Sequence, residues 1–165
     1  MKNTSFHKHI HHHSKRFTIK CRECSKNKLN FYMKVNGDVI NTCYIPTTYE
    51  ILKDRLPNVL KTACFNDMNL PFSEEVKRTE IGHLFEHILL EYLCAHHDHK
   101  KSKCVEFSGK TAWNWKKDPK GTFHINVQGE DIDIEAVKKA FNMSVLLTEY
   151  IMSEGNVNKR VAQII

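Results

Sequence analysis

No apolar run in the 165 residues approaches the ~20 needed for a membrane-spanning helix. The N-terminus also lacks the apolar stretch of a secretory signal, being polar and rich in His. Together these absences lead us to expect a cytoplasmic protein with no membrane association. No internal repeat is visible, which excludes a solenoid or propeller. Cys21-Arg-Glu-Cys24 has the spacing of half a zinc knuckle, but no second pair follows at a matching distance. It reads instead as two thiols near a strand end. The six cysteines (Cys21, Cys24, Cys43, Cys64, Cys94, Cys104) are expected to be mostly reduced in the cytoplasm. Aromatic and basic residues are not interleaved, so nucleic acid is not an expected partner.

What is present fits one domain with a sizeable core and ordinary apolar and charged fractions. The net charge of +6 is uneven, with Lys8, Lys15, Arg16, Lys20, Arg22, Lys26 and Lys28 crowded near the N-terminus. Such a stretch can attract polyanions but reads first as a solvated tail. His7, His9, His11, His12 and His13 in the same stretch could gather metal non-specifically. The expected organisation is a disordered tail over 1–15, a single domain over 16–153 and a C-terminal tail over 154–165.

Leu29, Phe31, Met33 and Val35 alternate with polar residues, the period of a half-buried strand. Asn36-Gly37-Asp38 is a turn, and Val39 to Tyr44 is expected to return as a strand. Thr47-Thr-Tyr-Glu50 reads as a capping box opening a helix that Pro57 stops. A long helix is expected from Thr79 to His96, a strand around Cys104 to Phe107, and a polar loop from Ser108 to Gly121. Thr122 to Gln128 alternates as a strand. Asp133 to Met152 follows as a second long helix, with Ile134, Val137, Phe141, Val145 and Thr148 on one stripe. The class is α+β: a small antiparallel or mixed sheet packed against two long helices, one of them carrying the candidate site.

That site is His83-Leu-Phe-Glu86-His87, the inverted form of the zinc-peptidase signature. At ~100° per residue His83, Glu86, His87 and Glu91 share an arc of about 140°, and apolar residues cover the other side. The polar stripe has no Lys or Arg, unlike a solvent-washed face with its Glu–Lys pairs. Imidazoles one turn apart, ~6 Å along the axis, reach one ion. Zinc takes neutral imidazole and keeps an open position for water. Glu86 is then the expected base. The third ligand is open between Glu91, which would have to reach back along the helix, Glu149 on the second helix, and His124 one strand away. If it is not a ligand, Glu91 is suited to orienting His87.

The motifs around this helix resemble the N-terminal domain of cyanophycin synthetase. That domain has a Leu-Pro turn, a Cys, a Gly-His-x-x-Glu-His-x-x-x-Glu helix, a Phe-Gly-Arg-Thr-like loop and a Pro-Gly-x-Tyr lead-in to a strand. Here these positions carry Leu56-Pro57, Cys64, Gly82-His83 through Glu91, Phe107-Ser-Gly109-Lys110-Thr111 and Gly121-Thr-Phe123. The resemblance spans residues from about 44 to 128. In that family the domain holds the polymer, and in some members its His/Glu site is a metallopeptidase-like hydrolase that trims it. The ATP-grasp and Mur-ligase-like domains that perform polymerisation have no counterpart in this sequence, so the resemblance implies neither synthesis nor ATP use. Retention of both His and both Glu implies the active version. The family's loop Arg is Lys110 here and its Tyr is Phe123, and Lys does not reproduce Arg's bidentate grip on a carboxylate.

The expected function is a stand-alone hydrolase using zinc or another divalent metal. His83 and His87, with Glu91 or Glu149, would hold the ion. Glu86 would be the base, and Lys110 would steady an oxyanion or substrate carboxylate. The substrate would be a peptide or isopeptide, including a cyanophycin-like polymer. The alternative is a non-catalytic module that binds a polymer or a partner.

Overall fold

The computed structural model describes residues 10–64, 68–97 and 106–162, with side chains through residue 154. These residues fold as α+β around a five-stranded antiparallel sheet. The strands are β1 (His11–His13), β2 (Phe17–Cys24), β3 (Lys28–Val35), β4 (Ser108–Ala112) and β5 (Thr122–Gln128), in the spatial order β1-β2-β3-β5-β4. The helices are α1 (Thr48–Arg55), α2 (Phe72–Glu75), α3 (Ile81–His96) and α4 (Ile134–Ala162). No helix among the described residues is long and apolar enough to cross a membrane.

Period-two alternation builds the inner face of the sheet. Ile19, Met33 and Phe123 stand in register across β2, β3 and β5, and Cys21, Phe31 and Ile125 form the next row. All six are buried. The α3 and α4 helices cover this face: Phe31 stacks on Phe141 of α4 at 5.8 Å, and Phe85 of α3 meets Phe141 edge-on at 6.2 Å. Burying such aromatic side chains contributes roughly 1.5–3 kcal/mol each.

Several expectations are corrected. The tail expected over 1–15 is in part structured: His11–His13 is an edge strand, and Ile10 is 1% exposed in the core. Polar composition concealed this, because the inward side chain of the strand is His12, which meets Glu149 of α4 at 2.9 Å. Residues 1–9, with His7, Lys8 and His9, lie outside the described residues. At the other end, where a tail was expected from 154, the α4 backbone continues to Ala162.

Val39 to Tyr44 is not a strand. Asn41 makes an isolated bridge to Glu80, and its side chain caps a 3-10 turn over Thr42–Tyr44. The Thr47 capping box does not form either. The chain enters α1 from a tight turn at Ile45, leaving Thr47 already helical (φ −76°, ψ −7°) rather than in the extended conformation an N-cap needs. The strand expected at Cys104–Phe107 lies later, as β4, inside the segment expected to be a loop; Cys104 and Val105 fall outside the described residues.

Candidate functional site

α3 begins with a latch. Thr42 N–H donates to the Thr79 carbonyl at 2.8 Å, Thr79 N–H donates to Thr42 Oγ1 at 2.8 Å, and Ile81 N–H donates to the Ile40 carbonyl at 2.9 Å. Gly82 lets the first turn press on the sheet, since a Cβ there would collide with the Phe123 ring. The helix is thereby fixed with His83 and His87 facing the segment that contains Thr62, Cys64 and Phe72.

Cys64, His83 and His87 converge. Their ligand-type atoms all lie within 4.8 Å of one another, and Cys64 Sγ is 3.6 Å from His83 Nε2. The Nδ1 atom of each imidazole is engaged by a threonine: His83 Nδ1 lies 2.8 Å from Thr79 Oγ1, and His87 Nδ1 lies 3.2 Å from Thr62 Oγ1. Phe72, fully buried, stacks on His87 with ring centres 3.8 Å apart. Burial holds both imidazoles below the ordinary histidine value. His87 is pushed down to about 3, with the neighbouring His83 adding to the effect of burial. Both are therefore neutral at pH 7, the form that donates a lone pair to a metal. A thiol with two neutral imidazoles is a donor set suited to zinc.

Glu86 is 4% exposed and points to β4. Thr111 Oγ1 donates to its Oε2 at 2.5 Å, and a Cβ on Gly109 would come within 2.5 Å of its Oε1. Gly109 is thus the floor of a carboxylate cradle. Burial raises the Glu86 carboxyl to about 7, against the opposing hydrogen bond from Thr111.

The other sequence candidates are elsewhere. Glu91 is half-buried one turn beyond His87, with its carboxyl raised by burial, and it is not part of the converging group. Glu149 belongs to a different cluster: its carboxylate takes hydrogen bonds from Ser14, from His12 at 2.9 Å and from Arg16 at 3.0 Å. It therefore anchors the first strands to α4. His124 points to the outer face of the sheet, where it pairs with Asp118 at 3.0 Å. Lys110 lies on that outer face too, lining a shallow depression with Arg22, His124 and Asn126. Strand alternation explains this: Gly109 and Thr111 face α3, so Lys110 between them faces away. Lys110 is thus on the wrong side of the sheet to act beside Glu86.

The residues missed as site members are Cys64, Thr62, Thr79 and Thr111. Cys64 stood in the motif order that carries the resemblance, ahead of the His/Glu helix, without being read as a ligand. Thr79 precedes His83 by one helical turn, a spacing visible in the sequence. No protein-family model matches this chain, and no curated protein matches it.

Proposed function

We propose that the chain is a metal-dependent hydrolase of peptide or isopeptide bonds, with zinc held by Cys64, His83 and His87. The observation that carries this reading is the convergence of three donor atoms within 4.8 Å while threonines engage both Nδ1 atoms. A zinc ion so held would supply a Lewis acid and a water acidic enough to ionise near neutral pH. Thr62 and Thr79 orient the two rings. Glu86, on the same helix, would be the group to take a proton from the nucleophile and return it to the leaving amine. Phe72 and the packing around α3 exclude bulk water from His87. The resemblance stated above is the ground for a polymeric amide as substrate, a cyanophycin-like polymer included. With Lys110 on the outer face, the substrate's carboxylates would need a different reader.

One observation favours a second reading, a binding module whose ion is structural. The Glu86 carboxylate contacts Thr111 and Gly109 on β4, whereas the imidazoles contact Thr62 and Thr79. Metal analysis combined with hydrolysis of a peptide and isopeptide panel separates the two. The hydrolase reading expects one bound zinc, turnover, and loss of turnover with unchanged zinc content in a Glu86→Gln variant. Bound zinc with no turnover on any substrate would favour the module, and absence of zinc binding would remove both forms of the metal site.

A further inference from the structure

Cys21 and Cys24 are separate from the candidate metal site. On a regular strand, residues three apart point to opposite faces. Here the ladder slips between Cys21 and Glu23, so that Cys21 stands opposite Phe31 and Cys24 opposite Leu29. Phe31 and Leu29 are two positions apart on β3, and both face the core. The bulge thus absorbs one residue, turns both thiols to one side and reduces their separation to about two strand positions, roughly 6.6 Å. That is at the upper end of the Cα separation a disulfide tolerates, about 4.4–6.8 Å. Cys21 Sγ reaches the Glu23 carbonyl oxygen at 3.1 Å. Cys21 is 6% exposed, and Cys24 is more open to solvent.

We propose that Cys21 and Cys24 form a reversible dithiol–disulfide pair, oxidised by exchange with a small-molecule disulfide. Cys24, as thiolate, attacks one sulfur of the small disulfide, and the other sulfur leaves as a thiolate that takes a proton from water. Cys21 then gives its proton to solvent and attacks Cys24 Sγ, expelling the second small thiol. The protein loses two protons and two electrons, and one small disulfide becomes two thiols.

The roles follow from position. Cys24 is the more accessible sulfur, and the neighbouring Cys21 and the charge of Lys138 hold its thiol below the ordinary value, against the effect of burial. The Cys21 proton is held by its contact with Cys24 and by burial. A bond near the limit of its geometric range is readily reduced, which makes the pair reversible.

Oxidised glutathione is the probe. The full chain is incubated with it, quenched with acid and N-ethylmaleimide, and digested with trypsin. Cleavage after Lys20, Arg22 and Lys26 puts the two cysteines on separate peptides, Cys21–Arg22 and Glu23–Lys26. The expected product is these two peptides joined by a disulfide and separated by reductant. A Cys21→Ser variant is expected to stop at a glutathione adduct on Cys24, and Cys24→Ser to leave Cys21 unmodified. A stable glutathione adduct on Cys24 of the unaltered chain would overturn the proposal. So would reaction at the exposed Cys43 and Cys94 with neither Cys21 nor Cys24 oxidised.

Discussion

Thr62 Oγ1 donates its one proton to the Val59 carbonyl at 2.7 Å, and so acts only as an acceptor toward His87 Nδ1 at 3.2 Å. His87 must then carry its proton on Nδ1, which leaves Nε2 with a free lone pair. The tautomer is set by a backbone carbonyl in the 3-10 turn Pro57–Lys61, relayed through a hydroxyl. In metal sites, outer partners of this kind orient the ligand and raise its basicity. The Thr62→Val variant keeps the shape and removes the acceptor. Its zinc affinity, measured by competition with a chromophoric chelator, is expected to fall about 10–100-fold.

In the proposed site Cys64 would supply a sulfur donor beside the two imidazoles, where a carboxylate of Glu91 or Glu149 was the expected third ligand. Cobalt substituted for zinc should show sulfur-to-metal charge-transfer absorption, because a thiolate ligand donates readily to the ion. That band should vanish in Cys64→Ser and persist in Glu91→Gln and Glu149→Gln. A band that survives loss of Cys64 would assign the third ligand elsewhere.

The metal-free protein should be acid-sensitive in a definite window. The His87 value falls from 6.5 to about 3 on folding, because burial and the nearby His83 oppose its protonation. A depressed folded value means that the unfolded chain takes up the proton first. Stability is therefore complete above about 6.5 and declines as pH falls toward 3. Thermal melts from pH 7 to pH 4 should show this decline in the unaltered chain. The decline should be shallower in His87→Gln, which has no proton to accept. Equal slopes would mean that His87 is not the titrating group.

The regular elements of the fold could be read from the sequence where one physical pattern acted alone. The inner faces of β3 and β5 follow period-two burial, and α3 follows a helical apolar surface. β4 could not be read this way: Ser108-Gly-Lys-Thr-Ala112 has no apolar alternation, and its strand exists through pairing with β5 along one edge. β1 was hidden for a similar reason, since three consecutive histidines carry no burial pattern and Glu149 comes from the far end of the chain. Of the site, the imidazole pair was visible as helical spacing. Cys64 precedes His83 by 19 residues, with α2 between them, so their proximity is tertiary and no local period encodes it. The outward turn of Lys110 depended on knowing that residues 108–112 are a strand.

Glu149 links the N-terminal strands to α4 through His12, Ser14 and Arg16. Burial raises its carboxyl, but these three hydrogen bonds outweigh burial and leave it below the ordinary value of 4.5. Its contribution to stability is present above that value and is lost as pH falls through the lower folded one. A Glu149→Ala variant should speed amide hydrogen exchange in His11–His13 and at Cys21, whose N–H donates to the Ile10 carbonyl at 2.9 Å. Exchange in β5, which pairs on the other side of β3, should change little. Uniform acceleration across the sheet would show instead that Glu149 supports the whole core.

Gly109 and Glu86 make the last test, because the cradle allows no side chain at position 109. A Gly109→Ala Cβ would sit 2.5 Å from Glu86 Oε1 and 2.9 Å from Glu86 Cδ, closer than side chains pack. Overpacking of this kind costs about 1–3 kcal/mol. Most of that cost should disappear when Glu86 is also shortened to Ala, so the double-mutant cycle should show a coupling of similar size. The Glu86 carboxyl offers an independent readout. Its value rises from 4.5 to about 7 because burial disfavours the charge. Its contribution to stability is full below 4.5 and is lost as pH rises through 7. Metal-free Glu86→Gln should therefore melt near the unaltered chain at pH 5 and above it at pH 8. An equal difference at both pH values would mean that Glu86 is ionised throughout, and that the cradle holds a carboxylate rather than the neutral acid.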